Sequence, residues 1–301
     1  MPSHSARAAL LIALCGFATL SIGDALVKTM AGQWPATAVA ALRYTAGAAG
    51  LAGLVAVTEG RKGFRMPKPW IQFGRGAGVA VATICFFLGV MAMPLADATA
   101  IQFTSPIITA MLAPVVLGER TTRAVWIAMA LAFSGVLIVL RPNLLALGAT
   151  ALYPVGAAAG MACLMICNRK AAGLASPIAM QFFAAVMAAP LLVLAALLLA
   201  ATGASQFQLS VPPTSVLVKS LTVACTASFG HLLIYMATVR ASASVVAPMT
   251  YVQLLVAALL SWLLFATAPD LTTFIGAALI IAGGLWLWRS QNDPDVAQTP
   301  D

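Results

Sequence analysis

Ten stretches of about twenty apolar residues follow one another along the chain, and nothing else in the sequence constrains its fold as much. They run roughly over 7–30, 36–57, 73–93, 97–117, 123–141, 148–168, 176–200, 214–236, 241–265 and 271–288. A helix rises about 1.5 Å per residue and the hydrocarbon core of a bilayer is about 30 Å thick, so about twenty apolar residues make one crossing. The pattern predicts an all-α membrane protein of ten transmembrane helices. Clear breaks fall at Glu59 to Arg65, Arg141 to Asn143 and Ser205 to Pro213, and inferred ones near Pro94, Glu119 and Arg240. No connection exceeds about 17 residues, which leaves no room for a soluble domain. Composition agrees: 62% of residues are hydrophobic and 8% charged, where soluble domains carry about 25% charged residues. A soluble enzyme, a nucleic-acid-binding domain and a disordered chain are excluded on that ground.

The first stretch also has the look of a signal peptide, with Arg7 ahead of an apolar run. It is read as a retained helix, because Asp24 and Lys28 follow where a small-residue cleavage site would stand. Five cysteines lie in apolar runs with no C-x-x-C pair. Cys163 and Cys167, four apart, are read as small packing residues rather than as a metal or redox pair. No cofactor and no metal site is expected.

The net charge of +8 is sorted along the chain. An even number of spans puts both termini on one side. Arg7, Arg61, Lys62, Arg65, Lys68, Arg75, Arg120, Arg123, Arg169, Lys170, Arg240 and Arg289 then fall on that side, against Lys28, Arg43, Arg141 and Lys219 on the other. The positive-inside rule makes the richer side cytoplasmic. The expected location is the inner (cytoplasmic) membrane, multi-pass, with both termini cytoplasmic. The basic balance is an insertion signal, so nucleic acid is not a partner.

The chain also repeats itself. Met91 to Ala100 matches Met236 to Val245 at an offset of 145, Lys28 to Pro35 matches Lys170 to Pro177 at 142, and Ser134-Gly135 onward matches Ala282-Gly283 onward at 148. Five spans are an odd number, so the second copy lies upside down relative to the first. Inverted repeats with a binding site near the midplane are the architecture of secondary transporters.

Ala96-Asp-Ala-Thr-Ala-Ile-Gln-Phe-Thr-Ser-Pro106, Leu117-Gly-Glu119, Gly135-Val-Leu-Ile, Lys28, Arg43 and Phe274 to Gly283 resemble the EamA family of the drug/metabolite transporter superfamily. The resemblance covers residues 7–289. It implies two inverted EamA repeats of five helices, 7–141 and 148–289, followed by a cytoplasmic tail at 290–301. It implies transport of small metabolites without ATP through a central cavity. In one respect the chain departs from the pattern: Phe265-Ala-Thr stands where relatives often carry Phe-Gly-Glu, so Glu119 has no acidic mate in the second repeat.

Charged groups inside spans are costly and mark cavities or partners. Asp24 and Lys28, i and i+4 on span one, with Arg43 in span two and Asp97 opening span four, form the candidate gate or coupling cluster. The competing reading is a snorkelling network at helix ends. Pro106 in span four and Pro248 in span nine remove helix donors and mark broken helices. Around them Gln102, Ser105, Pro106, Tyr251 and Gln253 are candidates for the substrate cavity, with Phe103, Thr104 and Thr250 nearby. His231 and Tyr235, i and i+4 in span eight, complete that set; a histidine titrates near neutrality and could relay protons. Glu119, Arg120 and Arg123 are expected to form a loop ion network. Gly276, Gly283 and Gly284 are expected to allow close helix packing, and Trp286 and Trp288 to sit at the interface.

No Walker motif, catalytic constellation or His cluster is present, so the chain is not read as an enzyme. The leading expectation is a secondary transporter that works by alternating access, and the resemblance implies export or exchange of amino acids or related polar metabolites. The alternative is an uptake carrier for a metabolite such as S-adenosylmethionine or riboflavin; a passive channel and an intramembrane enzyme rank below both. The partners are a small-molecule substrate and the lipid bilayer, with a proton as candidate coupling ion and the chain as monomer or homodimer.

Overall fold

The computed structural model describes residues 2–30, 32–93, 95–142, 148–265 and 270–290. All ten expected spans appear there as helices long and apolar enough to cross a membrane. Eight are single helices: α1 (Pro2–Lys28), α2 (Ala36–Thr58), α3 (Pro69–Ala92), α6 (Arg123–Leu140), α7 (Leu152–Lys170), α8 (Pro177–Ala201), α9 (Thr214–Arg240) and α12 (Leu271–Ser290). Two are broken. Span four is α4 (Leu95–Gln102) and α5 (Ser105–Leu117); span nine is α10 (Ala243–Val246), a 3₁₀ turn over Ala247–Tyr251, and α11 (Val252–Phe265).

The breaks fall where proline forces them. Pro106 and Pro248 each occupy the first turn of the element that follows the break, where a missing N–H costs nothing. Freed carbonyls are met locally: Ile101 O accepts from both the Thr104 amide (3.0 Å) and the Thr104 hydroxyl (2.7 Å).

Helices pair across the two halves of the chain. α1 packs on α9, α3 on α7, α2 on α8, and α6 on α12. Each of three crossings is tight enough to require glycine. A Cβ on Gly16 would fall 2.9 Å from Gly230 O, one on Gly78 2.8 Å from Gly160 O, and one on Gly135 2.5 Å from Gly276 O. Gly283 meets Ala128 in the same way, as the sequence suggests, but Gly284 does not; nothing lies within 4 Å of its Cβ position. It has turned away from α6, one position round the helix from Gly283.

Alanine dominates the buried faces, as at Ala9, Ala13, Ala128, Ala132, Ala157 and Ala158, while Leu194, Leu197 and Leu198 of α8 point outward. Large apolar side chains on the outside are what lipid solvates, and small ones inside let helix backbones approach.

At the loop ends, Glu59 after α2 accepts the hydroxyl of Ser176, which also caps α8 by accepting the Ala179 amide at 3.1 Å. Glu119 pairs with Arg169 at the end of α7 and accepts the Ala243 amide at 3.1 Å. Its ion-pair partner is thus Arg169, not the adjacent Arg120 or Arg123, because the end of α5 is brought against α7 and α10. On the opposite side Arg141 pairs with Asp270, which caps α12 through the Thr273 amide at 2.8 Å.

Two predictions arise. Gly135→Ala should lower stability by about 1–3 kcal/mol, the usual cost of overpacking, and Gly284→Ala in the same interface helix should not. Thermal unfolding in detergent reads the contrast. Asp270 lies outside the spans, and hydrogen bonds, foremost from the Thr273 hydroxyl, hold its carboxyl below the ordinary range. A depressed acid stabilises the fold above its unfolded pKa and loses that contribution as pH falls through its native value. The melting difference between the wild type and Asp270→Ala should therefore be constant near neutrality and shrink once pH drops below about 4.

Candidate functional site

At mid-depth, α2, α8 and α9 enclose a small polar cleft. Arg43, Tyr44 and Gly47 of α2, Gln181 of α8, and Ser228 and His231 of α9 line it. Its volume is about 10 Å³, room for about one water molecule. The Arg43 guanidinium lies over the Tyr44 ring at 4.9 Å, and its Nε is buried without a hydrogen-bond partner. Arg43 is in electrostatic reach of His231 and of Asp24 on α1. Asp24 is exposed and makes no ion pair with Arg43. The side chains of Lys28 and Asp97, the other two gate candidates, lie outside the described residues.

Toward the side of the termini, a second cluster closes the bundle around Arg75. This arginine is 1% exposed. It donates from Nε to Asn168 Oδ1 (2.7 Å) and from Nη1 to Gln72 Oε1 (2.9 Å) and the Met180 carbonyl (2.5 Å). Its guanidinium lies over the Tyr235 ring at 5.0 Å, and the Tyr235 hydroxyl donates to Ala171 O at 2.9 Å. One side chain thereby ties α3 to α7, α8 and α9. Among the described residues no carboxylate is within ion-pair distance of Arg75; neutral acceptors and a π face hold the charge.

The broken spans meet elsewhere. Phe103 and Tyr251 pack edge to face at 5.9 Å, and Phe133 lies 6.4 Å from Tyr251. Ser105 is buried, and Gln102 and Gln253 are half-buried. The Gln253 carbonyl accepts the Ser21 hydroxyl of α1 at 2.9 Å. The expected site residues thus separate into three groups. Arg43 and His231 line the polar cleft, and Asp24 is in electrostatic reach of Arg43. Tyr235 belongs to the Arg75 cluster, and Tyr251 to an aromatic contact. The sequence reading missed Tyr44, Gln72, Arg75, Asn168, Gln181 and Ser228. Arg75 had a legible signal: α3 starts at Pro69, so Arg75 stands nearly two turns inside a helix, not in the preceding loop.

A model of the EamA-like transporter family matches residues 7–141 and again 148–289. The chain belongs to that family. It is 25% identical over 278 residues to an S-adenosylmethionine uptake transporter of Rickettsia prowazekii, covering 92% of this chain and 91% of that one. It is 28% identical over 293 residues to a riboflavin transporter of Rhizobium johnstonii, covering 96% and 93%. A pseudopaline exporter of Pseudomonas aeruginosa is 29% identical over 136 residues, covering 45% and 47%. A crystal structure 18% identical in sequence shares the fold at a TM-score of 0.76, over 92% of this chain and 95% of that one. This EamA protein is therefore a multi-pass membrane transporter of a small metabolite with ten membrane helices.

Replacing Arg75 by Lys should cost about 1.5–3 kcal/mol, the usual worth of hydrogen bonds to a charged group, because an ammonium cannot make all three bonds and lie over Tyr235 at once. Lower melting of Arg75→Lys with unchanged membrane insertion is the expected result.

Proposed function

We propose that this EamA protein is a secondary carrier for a zwitterionic metabolite bearing an α-amino-acid group, working by alternating access. One observation carries the reading: Asp24 of α1 and Arg43 of α2, a carboxylate and a guanidinium, lie within electrostatic reach without an ion pair, and the Arg43 Nε beside the cleft is unpartnered. Opposite charges held apart in a membrane interior suit a ligand that brings one charge for each. The substrate carboxylate engages Arg43, whose Nε is free, and its ammonium engages Asp24. Tyr44, Gln181 and Ser228 supply neutral hydrogen bonds, and His231 or Asp24 carries the coupling proton. The cleft holds about one water, so the site has to open for a metabolite to enter.

Access alternates between the side of the termini, sealed by the Arg75 cluster and by Glu119 with Arg169, and the side of Asp24. The charge bias supports cytoplasmic termini, and the bacterial relatives support the inner membrane of a bacterial cell. The two repeats are read as 7–141 and 148–289, with a cytoplasmic tail at 290–301. The chemistry is binding and release, with no covalent step.

Export or exchange of amino acids is the leading direction. Uptake is the second reading, favoured by the two relatives matched over more than nine-tenths of this chain. S-adenosylmethionine carries the same α-amino-acid group, so this site accepts either; riboflavin has no such group.

Purified protein in liposomes tests this with labelled amino acids, S-adenosylmethionine and riboflavin under imposed pH gradients. Saturable, trans-stimulated flux of an α-amino-acid solute is expected, with Asp24→Asn and Arg43→Gln each reducing kcat/KM by about tenfold or more, the worth of one charge-assisted contact. Riboflavin flux with no amino-acid or S-adenosylmethionine flux would overturn the substrate class. Flux unchanged in both variants would overturn the site.

A further inference from the structure

A much larger cavity lies outside the polar cleft. It is a crevice of about 410 Å³ between α1, α6, the 3₁₀ turn of span nine, α11 and α12. Its wall is almost wholly apolar and includes Leu10, Leu14, Ala132, Leu255, Ile280 and Gly284. Leu11, Ile281 and Leu285 on its rim are exposed, so it opens sideways through the surface that lipid covers, between α1 and α12. From Ile280 to Trp288 the crevice spans eight residues of α12, about 12 Å, most of the roughly 15 Å that one leaflet contributes to a bilayer core.

Its mouth is different. Trp288 ends the wall on the side of the termini, and the Arg7 guanidinium lies over its ring at 5.4 Å. The Arg7 Nε is buried and has no hydrogen-bond partner. α6 and α12 run antiparallel with Gly135 against Gly276 and Ala128 against Gly283. That register sets Arg123 level with Trp288, and Arg289 follows it. Arg7, Arg123 and Arg289 thus stand at the ends of the helices that border the slot, with Arg7 the one seen over Trp288.

We infer that this crevice holds one acyl chain of an anionic phospholipid from the leaflet on the side of the termini, with its phosphate on Arg7. Each part has its reason. Hydrocarbon fills an apolar slot open to lipid at no desolvation cost. A phosphate satisfies the guanidinium N–H that the protein leaves unpaired. The aromatic ring beneath it sits at headgroup depth, where tryptophan is favoured. The lipid contacts α1 and α11 on one wall and α6 and α12 on the other, so it bridges pairs that otherwise touch little.

Native mass spectrometry of the full chain from nanodiscs tests the site, with phosphatidylglycerol or phosphatidylcholine as the added lipid. One retained phosphatidylglycerol per chain is expected, bound about tenfold more tightly than phosphatidylcholine, the scale of one charge-assisted contact. Arg7→Gln should remove that preference and leave weak binding of both. Gly284→Phe, placed where a side chain meets nothing within 4 Å, should fill the slot and abolish the adduct; Leu11→Trp serves the same purpose if that variant does not fold. Equal binding of both lipids by the wild type, or retention of phosphatidylglycerol by a folded slot-filling variant, would overturn the inference.

Discussion

Lipid does not drive helices together as water does, because a helix surface is as well solvated by acyl chains as by a neighbour. The bundle rests instead on close backbone approach, and that approach is concentrated at Gly16 with Gly230, Gly78 with Gly160, and Gly135 with Gly276. At each crossing a carbonyl of one helix occupies the space a side chain would take on the other. The alanine-lined faces around them extend the contact. These crossings set how α1 lies on α9 and α3 on α7, and so which polar groups of those helices share the interior.

The interior charges are handled in two ways. Arg75 is sheathed: Asn168, Gln72 and the Met180 carbonyl take its N–H groups, and Tyr235 covers its face. No counter-ion is needed, because the dipoles are fixed and aimed, and the arginine serves as a knot joining four helices. Asp24 and Arg43 are left incomplete. One is exposed and the other has an unpartnered Nε. On the proposed reading, Arg75 belongs to a closure, and Asp24 and Arg43 to a site that its cargo completes.

Much of this was legible beforehand, for physical reasons. A span must be apolar along its whole length, so hydropathy alone locates all ten. Proline removes a helix donor, so the breaks at Pro106 and Pro248 could be anticipated, although Pro114 and Pro190 stand inside unbroken helices. A charge inside a span is so expensive that Asp24 and Arg43 drew notice unaided. What could not be read was partnership. Glu119 lies next to Arg120 in sequence yet pairs with Arg169, fifty positions away. Gln181, Ser228 and Tyr44 are ordinary polar residues until the packing of α2, α8 and α9 puts them in one cleft. Gly283 and Gly284 are indistinguishable in sequence, and only the helix rotation tells that one touches α6 while the other faces open space.

The glycine crossings also bear on how such a chain can move. Each locked pair takes one helix from the first half of the sequence and one from the second: α1 with α9, α7 with α3, and α6 with α12. Backbones in direct contact cannot slide without first separating. Any body that turns as a unit must therefore contain helices of both halves, and the line of motion cuts across the gene duplication instead of following it. The units of ancestry and the units of mechanics are different sets of helices.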